Sequence, residues 1–129
     1  MGNSKLAVIG DIHSNSLALE AALLSIADYE ANFSTIDFIV FVGDLLTYGV
    51  RPRETLCELH RIVALRPTAF VLGNHDQLYI DLLGKSSFHY YDNLPAWIKE
   101  SVDFNLSQID PGLFLSINFS PRFVCDDIL

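Results

Sequence analysis

Cysteine is scarce in this 129-residue chain, which has only Cys57 and Cys125. Two thiols so far apart make neither a zinc-binding pair nor a disulfide framework, so both are expected to be reduced. Basic residues are few as well. Eight Lys and Arg face sixteen Asp and Glu, a formal charge of −8. That balance disfavours nucleic acid and anionic membranes as partners, and no nucleic-acid-binding patch is expected. No apolar run approaches the roughly 18–20 residues of a membrane span. Met1 to Lys5 is polar and no secretory-leader pattern follows, so a cytoplasmic location is expected. Neither Gly-x-Gly-x-x-Gly nor Gly-x-x-x-x-Gly-Lys-Ser/Thr occurs, which argues against a dinucleotide- or P-loop-type fold. No repeat or low-complexity linker divides the chain, and residues 1–129 read as one domain.

Apolar residues, by contrast, are plentiful. Half of the residues are hydrophobic and 12% are aromatic, enough for a packed core and too many for a disordered chain. Residues 5–10 and 35–43 are nearly continuous apolar runs that end at glycine, and 68–73 is a third. Such runs suit strands covered on both faces of a parallel sheet. Between them, Leu17 to Tyr29 is rich in Leu and Ala, and Leu56, Leu59 and Val63 follow Pro52 at helical spacing. The expectation is an α/β fold, a βαβαβ parallel sheet flanked by helices. Further on, helices are predicted over Gln77–Leu83 and Leu94–Leu106, and a strand over Gly112–Asn118.

Each early strand ends in a polar cluster: Gly10-Asp11-Ile12-His13-Ser14-Asn15, Gly43-Asp44, and Gly73-Asn74-His75-Asp76. Ligands of open parallel sheets bind outside the carboxyl ends of the strands. Asp11 and His13, two apart, would share a side along an extended segment. A hard oxygen with an imidazole nitrogen suits iron, manganese, zinc or cobalt better than magnesium or calcium. Asp44 could bridge two ions, and Asn74 offers a neutral carbonyl oxygen. His75 would point elsewhere and suit proton transfer, with Asp76 orienting its imidazole. Asp11, Asp44 and Asn74 are spaced 33 and 30 residues apart, each one βα unit.

The blocks G-D-I-H-S-N, G-D-L-L-T-Y-G and G-N-H-D resemble the first three signatures of the calcineurin-like metallophosphoesterase superfamily, in order and spacing over residues 5 to about 83. Within it, small bacterial phosphodiesterase-like members look most similar. The resemblance implies the first half of a four-layer α/β/β/α sandwich. It also implies hydrolysis of phosphoric mono- or diesters by a metal-activated hydroxide. Two divalent or trivalent ions (manganese, iron, zinc, cobalt or nickel) would take part, with a phosphoester as substrate. By the same resemblance Asp11 and His13 would bind one ion, Asp44 would bridge both, and Asn74 would bind the second. His75 would protonate the leaving alkoxide or steady the transition state, with Asp76 behind it. Ser14 stands where many members have glycine.

The family's later histidine blocks have no counterpart. The four histidines are His13, His60, His75 and His89, and residues 90–129 hold none. His60 reads as structural, and His89, in an aromatic segment, as structural or substrate-gating. The second metal site is therefore expected to be incomplete, in a fragment, a truncated product or a chain completed by another. A half-sheet would leave an apolar face open and favour self-association. The competing expectation is a non-catalytic remnant or interaction module that keeps the fold and at most one weakly bound metal.

Overall fold

The structure is a computed structural model that describes residues 4–125. Four strands, β1 (Leu6–Ile9), β2 (Phe38–Phe41), β3 (Thr68–Val71) and β4 (Phe119–Ser120), form one sheet in the order β1-β2-β3-β4. Every pairing is parallel. Helices α1 (Ser16–Asn32) and α2 (Pro52–Leu65) make the first two crossovers. Between β3 and β4 lie α3 (Asn74–Gly84), the single turn α4 (His89–Asp92), α5 (Ala96–Gln108) and α6 (Pro111–Leu115). Short crossovers keep sequential strands adjacent, which brings the ends of β1, β2 and β3 side by side.

The expected βαβαβ unit is present, and local chemistry explains its helix boundaries. The Asn15 side chain accepts the Ala18 N–H and caps α1. Pro52 occupies the first turn of α2. Arg66 ends that helix in extended geometry, as a residue before proline should. Its guanidinium donates to both Glu30 oxygens, at 2.9 and 3.1 Å, joining the end of α2 to that of α1.

The predicted strand over Gly112–Asn118 is corrected. Asp110 accepts the Gly112 N–H and Pro111 takes the first turn, so the segment starts as α6 and only Phe119–Ser120 joins the sheet. The N-cap and proline outweigh the apolar run that follows. The third helix also begins earlier than predicted, at Asn74, so the Gly-Asn-His-Asp cluster forms its first turn.

Ala7, Ile9, Ile39, Phe41, Phe70 and Phe119 face the helices and join a core with Leu19, Leu56, Leu59, Tyr79, Val102 and Phe114. Alternation puts Val8, Phe38, Val40 and Val42 on the opposite face, where Val40 is buried and the others are 62, 38 and 45% exposed. Cys57 and Cys125 are both free. Among the described residues no helix is long and apolar enough to cross a membrane.

Candidate metal centre

The segment after β1 is laced to the segment after β2 by backbone bonds. Asp11, His13 and Ser14 N–H groups donate to the carbonyls of Gly43, Asp44 and Leu45 at 3.2, 3.0 and 2.8 Å, and Gly49 N–H returns to His13 at 2.9 Å. The backbone itself is unusual here. Asp11, His13, Ser14, Asp44, Thr47 and Tyr48 all have positive φ, between 49° and 78°. Such conformations are uncommon outside glycine and gather where surrounding structure enforces them, chiefly at functional sites. Gly43, at φ +90°, meets the third loop so closely that a Cβ would lie 2.6 Å from Gly73 N.

This lacing brings three sequence-predicted ligands together. One ligand atom each from Asp11, His13 and Asp44 lies within 4.8 Å of the others. The extended path predicted for Asp11 and His13 is corrected. Two left-handed residues turn the chain, and Asp11 Oδ1 still lies 3.5 Å from His13 Nε2. His13 Nδ1 lies 2.9 Å from the Leu46 carbonyl. A carbonyl only accepts, so Nδ1 carries a proton and Nε2 is the ring nitrogen turned toward Asp11. That is the tautomer a metal ligand needs, fixed by the backbone. Two carboxylates and one imidazole fit a transition-metal ion.

Asn74 opens α3 and is exposed. Its amide nitrogen donates to the Tyr90 hydroxyl at 3.1 Å, which leaves the carbonyl oxygen available. His75 N–H donates to Asp44 Oδ1 at 2.9 Å, so the N-terminus of α3 supports that carboxylate. The buried His75 ring stands perpendicular to His13, centroids 5.4 Å apart. Burial holds its pKa below the usual imidazole value; the Asp44 and Asp11 charges oppose that, and His13 adds to it.

Asp76 is not the orienter of that imidazole. Its carboxylate accepts the N–H groups of Asp44 (2.8 Å), Leu45 (3.0 Å) and Gly73 (2.9 Å), a brace between the second and third loops. Burial pushes its pKa up against the pull of those donors. Thr47 holds the imidazole instead. Its hydroxyl lies 3.1 Å from His75 Nδ1 and 2.8 Å from the buried Tyr79 hydroxyl.

Sequence reasoning missed Thr47, and it missed Asn105 of α5. Asn105 is fully buried. Its oxygen accepts from Ser14 Oγ and from Thr47 N–H (3.3 Å), and its nitrogen donates to Gly49 O (3.3 Å) and Ser101 O (2.8 Å). The available signal was an asparagine amid apolar residues inside a helix, where asparagine is disfavoured. His60 and His89 lie outside the ligand group. His60 Nε2 bonds Leu113 O at 2.8 Å, and His89 opens α4 at the surface.

Residues 4–127 match the calcineurin-like phosphoesterase family, and the chain belongs to it. An uncharacterized protein of Methanocaldococcus jannaschii is 35% identical over 115 residues, which cover 85% of this chain and 42% of that protein. The crystal structure of a metallophosphoesterase from Sphaerobacter thermophilus superposes with a TM-score of 0.61 at 27% identity, covering 96% of this chain and 44% of that one. A hypothetical protein from Pyrococcus horikoshii OT3 shares the fold, with a TM-score of 0.72 at 20% identity over 85% of this chain and 45% of the other. The chain thus spans less than half the length of these relatives, consistent with the first half of the metallophosphoesterase fold.

Proposed function

We propose that residues 1–129 supply one incomplete domain of a metal-dependent phosphoester hydrolase, with Asp11, His13, Asp44 and Asn74 as metal ligands. The observation that supports it is the convergence of Asp11, His13 and Asp44 within 4.8 Å, with His13 in the ligand tautomer. Asp44, held between the first loop and the start of α3, is the proposed bridge between two ions. When bound, divalent or trivalent ions such as manganese, iron, zinc, cobalt or nickel supply an acidified water and positive charge against the phosphoryl oxygens. His75 is the proposed proton donor to the leaving oxygen. Its Nδ1 is engaged by Thr47, which leaves Nε2 for substrate. Asp76 acts as a positioning residue, through the backbone of Asp44. The cytoplasm is the proposed location, and the exposed Val8, Phe38 and Val42 side chains on the uncovered sheet face support self-association.

A second reading is a non-catalytic module with at most one weakly held ion. It is favoured by the single three-residue ligand group among the described residues. Metal content per chain after purification in excess manganese separates the two. Two ions support the hydrolase, one ion the module, and none refutes the metal site. In either case, turnover of an aryl phosphodiester by this chain alone is expected to be poor, because the four proposed ligands would hold a second ion only incompletely. Robust manganese-dependent turnover lost in His75→Ala would overturn that expectation.

A further inference from the structure

The metal centre has an aromatic wall that none of its ligands requires. Tyr48 stands edge-on to both site histidines, its ring centroid 4.8 Å from His13 and 5.3 Å from His75. Trp97, from the first turn of α5, lies beyond it at 5.9 Å with the planes only 31° apart. Both rings are open to solvent, Tyr48 44% and Trp97 63% exposed. Single exposed aromatics are ordinary, but two adjacent rings beside the ligand group make a contiguous apolar surface at the site.

The wall is also built to stay in place. Tyr48 is held at φ 65°, and its N–H donates to Ser101 Oγ of α5 at 2.6 Å. Asn105, one turn further along α5, is bonded to the first two loops. Helix α5 therefore presents Trp97 in fixed register with the ligand residues.

We propose that Tyr48 and Trp97 form a stacking subsite that selects phosphoesters whose organic part carries a planar ring, an aryl group or a nucleobase. The inference deepens the phosphoester reading and rests on it. Tyr48, against the histidines, is placed for a ring joined directly to the phosphate. Trp97, farther out, is placed for a ring set back by a sugar. Stacking tolerates any planar ring because it uses the π-face rather than hydrogen-bond patterns. The acidic chain has few cations to offer a sugar–phosphate backbone, which favours small esters over polymers.

The test uses the whole chain in excess manganese, titrated with AMP, phenyl phosphate, ribose 5-phosphate and adenosine. Affinity is read by calorimetry and by emission of Trp97, the only tryptophan in the sequence. AMP should bind roughly 10-fold or more tightly than ribose 5-phosphate, with saturable quenching of Trp97. Trp97→Leu should move the AMP to ribose 5-phosphate affinity ratio toward one, and Tyr48→Ala should do so for phenyl phosphate. Equal binding of all three phosphates, abolished by Asp44→Asn, would overturn the stacking subsite and leave the phosphoester reading intact. Adenosine binding as tightly as AMP, indifferent to Asp44→Asn, would overturn the subsite as part of this centre and count against both. No saturable binding by any ring-bearing ligand would also overturn it. Trp97 is exposed, so its replacement does not threaten the fold.

Discussion

Replacing Asn105 by leucine tests whether a helix remote in sequence holds the loops that carry Asp11, His13 and Asp44. Leucine has similar bulk, so the change removes hydrogen bonds more than volume. Four bonds are lost: two from the buried Ser14 hydroxyl and Thr47 N–H, and two to the carbonyls of Gly49 and Ser101. The carbonyls are only part-buried, so water can replace much of what they lose. The two buried donors cannot be rescued in that way, and each costs about 1–3 kcal/mol when left unpaired. The expected loss is about 3–5 kcal/mol, a large share of the roughly 5–15 kcal/mol that stabilises a domain. At this chain length that lowers Tm by roughly 10–20 °C. Thermal unfolding followed by circular dichroism gives the first reading. Manganese affinity of the variant at a temperature where it is folded gives the second, with a fall of about 10–100-fold expected for a lost supporting contact. Asn105→Asp should be comparably harmful, since it sets a second oxygen against two carbonyls. A leucine variant within about 1 kcal/mol of the parent, with unchanged metal affinity, would refute the idea that α5 holds the loops.

Other expectations concern single contacts. Asp44→Asn should lower metal retention more than Asp11→Asn, because Asp44 is the proposed bridge between two ions; metal analysis after gel filtration decides, and equal loss would count against a bridging role. A Cβ at Gly73 would fall 2.6 Å from Asp44 N, so Gly73→Ala should cost about 1–3 kcal/mol in urea unfolding and weaken metal binding as well. The Arg66 hydrogen bonds hold the Glu30 pKa below its ordinary 4.5. A lowered carboxylate pKa stabilises the fold above the unfolded value and loses that contribution as pH falls through the folded one. The stability gap between the parent and Glu30→Gln should therefore be present at pH 7 and shrink as pH falls below 4.5 through the folded value, and a gap that does not shrink on acidification would exclude the ion pair as its source.

The βαβαβ core was legible because each strand is an apolar run closed by glycine, and each ligand follows such a run at one βα interval. Periodicity misjudged Gly112–Asn118, where Asp110 and Pro111 start a helix that the apolar residues alone do not announce. For Asp76 the sequence offers a carboxylate but not the partners it meets. The backbone donors it accepts come from three chain positions that only the folded loops bring together. Asn105 and Thr47 were hidden for a related reason. Their bonds join Ser14, Gly49, His75 and Tyr79, and nothing local to either residue foretells those meetings.

The left-handed backbone at Asp11, His13 and Asp44 also restricts which ligands the centre can evolve. Their φ values are 54°, 49° and 56°. Among non-glycine residues, Asn, Asp and His are the types enriched in this conformation. For Asn and Asp, a short polar side chain that bonds locally eases that backbone. Glutamate and cysteine share the metal-binding chemistry but not the conformational ease, so a swap to either would strain the loop before any ion was bound. The hard-oxygen and imidazole character of the centre is thus guarded by main-chain shape as well as by ligand affinity. For mutagenesis, Asp→Asn at positions 11 and 44 changes the charge and leaves the backbone preference nearly untouched. Asp→Glu at the same positions would confound the two.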